Sequence, residues 1–239
     1  MNECSIYTQY YDNLKEIGKG AFSIVYKGRE IKTNELRAIK VINLYNVKQS
    51  IFANGSEDPE KEFKECIDGY KNECEIMKIC SGINSVKLYE FFNEENNFVL
   101  VMELCDNNLM NLLESKKEGF SIEEIYEILK QLNNAFKIMK ENNIIHRDLK
   151  LENILYKKEE NNKLMIKLAD YGSSKKLNSL SQNYCNSIVG TKIYMAPELL
   201  KEEKYNYKCD FWSLGIIIYR LRFVKSLFKG QTDCALLFD

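Results

Sequence analysis

Short apolar, β-branched runs recur through the first part of the chain, separated by glycine or polar turns. Leu14–Gly18, Ser23–Arg29 and Leu36–Ile42 each predict a strand. Phe98–Glu103 (FVLVME) is almost continuously apolar, which predicts a strand buried on both faces. One helix interrupts these strands: Phe63, Ile67, Tyr70, Cys74 and Met77 recur at spacings of three and four between Lys61 and Cys80. The polar stretch ANGSEDPEKE (53–62), with a glycine and a proline, predicts a surface loop leading into that helix.

From Leu109 onward the pattern becomes helical. Ser121 followed by Glu124 is a capping box opening a long amphipathic helix to about Asn142. Two short strands, Ile154–Tyr156 and Met165–Leu168, flank a polar loop at 160–163, and another helix is expected over Cys209–Arg222. There is no internal repeat. The expected fold is α+β, with a small strand-rich lobe over about 11–104 joined to a larger helical lobe over about 105–239.

The 239 residues are 45% hydrophobic with only 2 prolines, enough to bury a substantial core. A formal net charge of −1 gives no global field for nucleic acid or an anionic membrane, so neither is expected as a partner. The N-terminus lacks a secretory pattern, and the most apolar run, Leu214–Tyr219, is too short to span a bilayer. A soluble, cytoplasmic protein is expected. The 8 cysteines form no C-x-x-C pair, and a single histidine cannot complete a two-histidine zinc finger. Cys66, Cys74 and Cys80 therefore read as small structural hydrophobes.

Several stretches carry chemistry. In IGKGAFSIVYKG (17–28), Gly18 and Gly20 let a turn approach phosphate oxygens with amide donors, although a plain hairpin turn explains them equally well. Ser23 stands where G-x-G-x-x-G would place its third glycine. Lys40, in RAIKVI (37–42), is costly in an apolar strand unless paired or reaching an anion; an edge-strand position is the alternative. Glu73 is a plausible partner, with Glu75 its rival. Asp170, in LADYGSS (168–174), is either a turn residue or, with Asn153, one of two oxygen ligands suited to Mg²⁺. IIHRDLKLENIL (144–155) sets the single histidine beside Arg147, Asp148 and Lys150, and GTKIYMAPE (190–198) and CDFWSLG (209–215) add Glu198 and Asp210.

In order, these read G-K-G-x-F-S-x-V, A-I-K, a helix glutamate, H-R-D-L-K-L-E-N, D-Y-G, A-P-E and D-x-W-S-L-G. From about Tyr11 to its end the chain resembles the eukaryotic protein kinase domain of serine/threonine type. The resemblance implies ATP and Mg²⁺ as cofactors and a protein serine or threonine as acceptor. Asp148 would accept the hydroxyl proton, Lys150 balance charge on the migrating phosphate, and Asn153 and Asp170 hold Mg²⁺. Lys40, oriented by Glu73, would pair the α- and β-phosphates. The nucleotide would also contact Ile17, Gly18, Lys19, Gly20, Val25, Ala38 and Leu155, with backbone bonds at Glu103 and Cys105. His146 would join a hydrophobic stack with Met77, Leu88 and Tyr171, and Thr191 would touch Asp148 and Lys150. Ser187 would be a phosphate acceptor facing Arg147.

The chain departs from the family pattern at Tyr171, where phenylalanine is usual, and in stopping at CALLFD. A large lobe lacking its last helices is expected, with part of the apolar surface formed by Phe211, Trp212, Leu214, Ile216, Ile217 and Ile218, together with Leu227, Phe228, Leu236 and Leu237, exposed for self-association or a partner. A catalytically weak, kinase-like binding module is the alternative to an active enzyme.

Overall fold

A computed structural model describes residues 6–177 and 189–228; Ser187, Leu236 and Leu237 lie outside the described residues. The chain divides into two compact units. The first comprises the described residues up to Ser81 together with Val86–Leu104, and the second Gly82–Ser85 with the described residues from Cys105.

The first unit is built on five strands: β1 (Tyr11–Lys19), β2 (Ser23–Glu30), β3 (Leu36–Asn43), β4 (Leu88–Asn93) and β5 (Asn97–Glu103). They form an antiparallel sheet of order β1-β2-β3-β5-β4. Phe98, Val99, Leu100 and Val101 of β5 have no exposed surface, the double-sided burial its apolar run predicts. Each such side chain contributes roughly 1.5–3 kcal/mol to stability. Tyr7, Tyr11, Ile39, Val99 and Val101 cluster as one part of this unit's core. β4 was not foreseen, because LYEFFN is half exposed and carries neither alternation nor a continuous apolar run.

Two helices, not one, follow β3. Helix α1 (Leu44–Ala53) occupies a stretch with no helix expected; it is capped by Asn43 Oδ1, which accepts from the Asn46 N–H at 2.8 Å. Leu44, Val47 and Ile51 supply its buried face at helical spacing, while Tyr45 and Phe52 stay exposed and blur the stripe. Helix α2 (Pro59–Ile79) starts at Asp58, whose carboxylate accepts from the Lys61 N–H at 3.1 Å, with proline in the first turn. The expected loop at 53–62 shrinks to 54–58. Tyr70 of α2 packs on Phe98 of β5 with ring centroids 5.6 Å apart.

The second unit contains β6 (Asn107–Asn108), α3 (Leu109–Ser115), α4 (Ile122–Glu141), β7 (Ile144–Ile145), β8 (Ile154–Lys158), β9 (Leu164–Leu168), β10 (Lys175–Lys176), α5 (Pro197–Leu200) and α6 (Lys208–Phe223). Ser121 and Glu124 form the capping box of α4, and Ile125, Ile128, Leu132, Ala135 and Met139 are its buried stripe. β8 and β9 make an antiparallel hairpin extended by β6, and β7 pairs with β10. Ile145, Met195, Ala196, Leu199, Tyr205 and Cys209 form a core cluster beside β7. α6 buries Asp210, Ser213, Ile216, Ile217 and Leu221, whereas Phe211 and Trp212 are exposed. No helix among the described residues is long and apolar enough to cross a membrane. The fold is α+β, an antiparallel-sheet unit and a mainly helical one.

Candidate active site

In the first unit, β1 and β2 meet at the glycine turn. Gly18 lies opposite Val25 and Lys19 opposite Ile24, and the Gly20 N–H donates to the Ser23 carbonyl at 2.7 Å. The turn is therefore a hairpin that closes on Ser23, and Ser23 itself begins β2. Ile17 is half exposed, Val25 is half-buried and Ala38 is buried on β3. On β3, Lys40 is flanked by Val25 of β2 and Leu100 of β5, so its strand is interior to the sheet and not an edge. Its Nζ lies 2.9 Å from Glu73 Oε1. Glu73 is buried in α2, on the face that carries Tyr70, Cys74 and Met77, and Glu75 points away and is exposed. A buried carboxylate with a cation at hydrogen-bond distance is an ion pair that orients the lysine.

In the second unit the stretch 146–153 is held from behind. Asp210 of α6 accepts from the His146 N–H through Oδ2 and from the Arg147 N–H through Oδ1, both at 2.9 Å. Burial pushes the Asp210 carboxyl above its ordinary value, and the two backbone donors oppose the shift. Arg147 adopts a left-handed backbone (φ 70°), and its guanidinium donates to Ser173 O at 2.6 Å and to Tyr205 Oη at 3.2 Å. His146 is fully buried with its ring 5.2 Å from that of Tyr171. Its Nε2 lies 3.1 Å from the Ala169 carbonyl, which can only accept, so Nε2 carries the proton. Nδ1 is buried and meets no hydrogen-bond partner among the described residues, which suits a packing residue more than a base.

Asp148 is the convergence point. Lys150 Nζ donates to its Oδ2 at 2.7 Å, and Thr191 Oγ1 donates to its Oδ1 at 2.9 Å while accepting from Lys150 at 3.1 Å. Asn153 Nδ2 donates to the Asp148 carbonyl at 2.9 Å and to Oδ2 at 3.2 Å. Burial alone would raise this carboxyl; the bonds from Lys150 and Thr191 and the lysine charge outweigh it and hold it below the usual carboxylate range. Gly190, just before Thr191, has φ +115°, and a Cβ there would lie 2.3 Å from the Arg147 carbonyl oxygen. Only glycine lets the two segments approach so closely.

Asn153 ends a turn of 3₁₀ helix just before β8, and Asp170 follows β9. The Ala169 N–H donates to the Asn153 carbonyl at 2.9 Å, so the backbones beside both residues are tied together. With Nδ2 committed to Asp148, the amide oxygen is the atom of Asn153 that can ligate a cation. One carboxylate and one amide oxygen fit Mg²⁺, which keeps several waters and takes the rest of its shell from phosphate. Asp170 is itself left-handed (φ 60°). Behind β9, Asn84 donates through Nδ2 to Ile166 O and accepts from Asn134 through Oδ1, both at 2.8 Å, and its own carbonyl receives the Leu168 N–H at 2.8 Å. This support was not read from the sequence, where Asn84 is one polar residue in a loop.

The family profile of the protein kinase domain matches residues 11–237, nearly the whole chain. The chain belongs to the protein kinase domain family. Among similar proteins are serine/threonine-protein kinase atg1 of Dictyostelium discoideum, 34% identical over 87% of this chain and 29% of that protein. Calcium-dependent protein kinase 5 of Plasmodium berghei is 34% identical over 98% of this chain and 38% of its own length. Calcium-dependent protein kinase 4 of Plasmodium falciparum is 32% identical over 99% and 42%. The chain thus spans less than half the length of these relatives. Members of the family use ATP, usually with Mg²⁺, and act on proteins.

Proposed function

We propose that this kinase domain transfers the γ-phosphate of ATP to serine or threonine hydroxyls of proteins. The observation that carries the reading is the set of bonds converging on Asp148: a lysine two residues on, Thr191 and Asn153 all donate to it. A carboxylate kept ionised and fixed by such bonds orients an incoming hydroxyl and accepts its proton. Lys150, already beside it, offsets charge on the transferring group. The reaction's transition state is loose, so positioning and charge neutralisation supply most of the acceleration.

Lys40, aimed by Glu73, is assigned to the α- and β-phosphates. Asn153 and Asp170 are assigned to Mg²⁺, which when bound neutralises phosphate charge. The glycine turn with Ile17, Gly18, Lys19 and Gly20, the apolar Val25, Ala38 and Leu155, and the backbone of Glu103 and Cys105 are assigned to the rest of the nucleotide. The placement of Lys150 two residues after Asp148 supports serine or threonine as acceptor, as do the serine/threonine kinases among the relatives.

The test is transfer of radiolabelled phosphate from ATP to a generic basic protein by the wild type and by Asp148→Asn. Label on serine or threonine that depends on Asp148 supports the reading. Nucleotide binding without transfer in the wild type would favour a kinase-fold binding module instead.

A further inference from the structure

We propose that the buried hydroxyls of Tyr171 and Ser85 form a latch that positions Asp170 and so sets how tightly the site holds its divalent cation. The proposal rests on the assignment of Asp170 as a Mg²⁺ ligand. Tyr171 Oη donates to Ser85 Oγ at 3.1 Å, with Tyr171 wholly buried and Ser85 1% exposed. A phenylalanine ring would fill almost the same volume. The added hydroxyl would weaken the protein if buried alone, so its presence is explained by its partner.

The acceptor is itself anchored. Ser85 bridges Leu168, and the preceding residue, Asn84, receives the Leu168 N–H and donates to the Ile166 carbonyl. Ser85 is therefore fixed to the strand that delivers Asp170. On one side of Asp170 the backbone is tied by the Ala169 N–H bond to the Asn153 carbonyl, and on the other side the first side-chain tie is Tyr171 to Ser85. Between them Asp170 keeps a left-handed backbone (φ 60°), which aspartate adopts more readily than most side chains, and the two flanking ties hold it there. Releasing one tie lowers the fraction of molecules in which the carboxylate is in place, and apparent affinity falls by that fraction. Ser85 and Tyr171 are thus positioning residues.

The experiment is equilibrium binding of a fluorescent ATP analogue, with Mg²⁺ titrated over wild type, Tyr171→Phe, Ser85→Ala, the double variant and Asp170→Asn. Each single variant is expected to raise the Mg²⁺ concentration for half-maximal binding by roughly two- to ten-fold, the scale of one neutral buried hydrogen bond. The double variant should shift it no further than either single, and binding without Mg²⁺ should stay as in the wild type. A lower melting temperature with an unmoved Mg²⁺ requirement, or shifts that add in the double variant, would overturn the latch. If Mg²⁺ has no effect in the wild type, or the same effect in Asp170→Asn, the assignment of the cation site fails instead.

Discussion

The side-chain amide of Asn153 is spent on Asp148: its Nδ2 bonds both the carbonyl and Oδ2 of that residue, at 2.9 and 3.2 Å. One residue thereby braces the proposed base with its nitrogen and leaves its amide oxygen for the proposed cation. The two functions separate by mutation. Asp148→Asn is expected to lower phosphate transfer at least about a hundred-fold, the usual scale of a general base, with Mg²⁺-nucleotide affinity little changed. Asn153→Ala should lose both. Rates with parallel nucleotide titrations would check this, and near-normal transfer by Asp148→Asn would show that the base is misassigned.

The 2.9 Å contact of Lys40 with buried Glu73, beside an exposed Glu75, predicts a ranking. Lys40→Met should abolish transfer. Glu73→Gln should weaken it strongly, because a lysine in an interior strand loses its orienting charge, whereas Glu75→Gln should act like a surface change. Initial rates at saturating and limiting ATP measure the order, and equal effects of the two glutamates would refute it.

The depressed pKa of Asp148 fixes the sign of two pH effects. Its folded value lies below the unfolded value of about 3.9, so its contribution to stability is present above that pH and lost as pH falls through the folded value. The carboxylate is also ionised throughout the neutral range, and the acid limb of kcat should not arise from it there. Lys150→Met removes one of the bonds that lower this pKa and leaves burial, so the carboxyl should titrate at higher pH. Carbon NMR of the Asp148 carboxyl in the two proteins would read that shift directly; a titration that stays in place would mean Lys150 does not tune Asp148.

Single positions pointed to only part of the proposed site, and the ordered run of motifs supplied the rest. Lys40 in an apolar run demands a partner by its cost alone, and Glu73 falls on the same helical face as Tyr70, Cys74 and Met77. The capping box at Ser121 and Glu124 marks the start of α4. Helix α1 escaped because its buried stripe has only three residues and exposed Tyr45 and Phe52 interrupt the pattern. That Ser85 partners the hydroxyl of Tyr171 could not be read, since 86 positions separate them and no local period links the two. The same holds for Asn84, whose bonds reach Asn134 and Ile166. Periodicity reports which face is buried; it does not report which distant polar groups meet there.

Gly190 gives the last prediction. Its φ of +115° is a conformation that side chains avoid, and an added Cβ would sit 2.3 Å from the Arg147 carbonyl and 3.6 Å from Asp148 Oδ1. Gly190→Ala must therefore push apart the segment carrying Thr191 and the one carrying Asp148. Because a displacement of about 1 Å at a reacting group can cost on the order of a hundred-fold in rate, kcat should fall at least about ten-fold. Gly55 also has a positive φ, +74°, but nothing lies within 4 Å of its added Cβ. Gly55→Ala shares the backbone strain without the collision and should lower the melting temperature slightly while leaving kcat intact. Equal kcat in the two variants would show that close approach at Gly190 plays no part in placing Asp148.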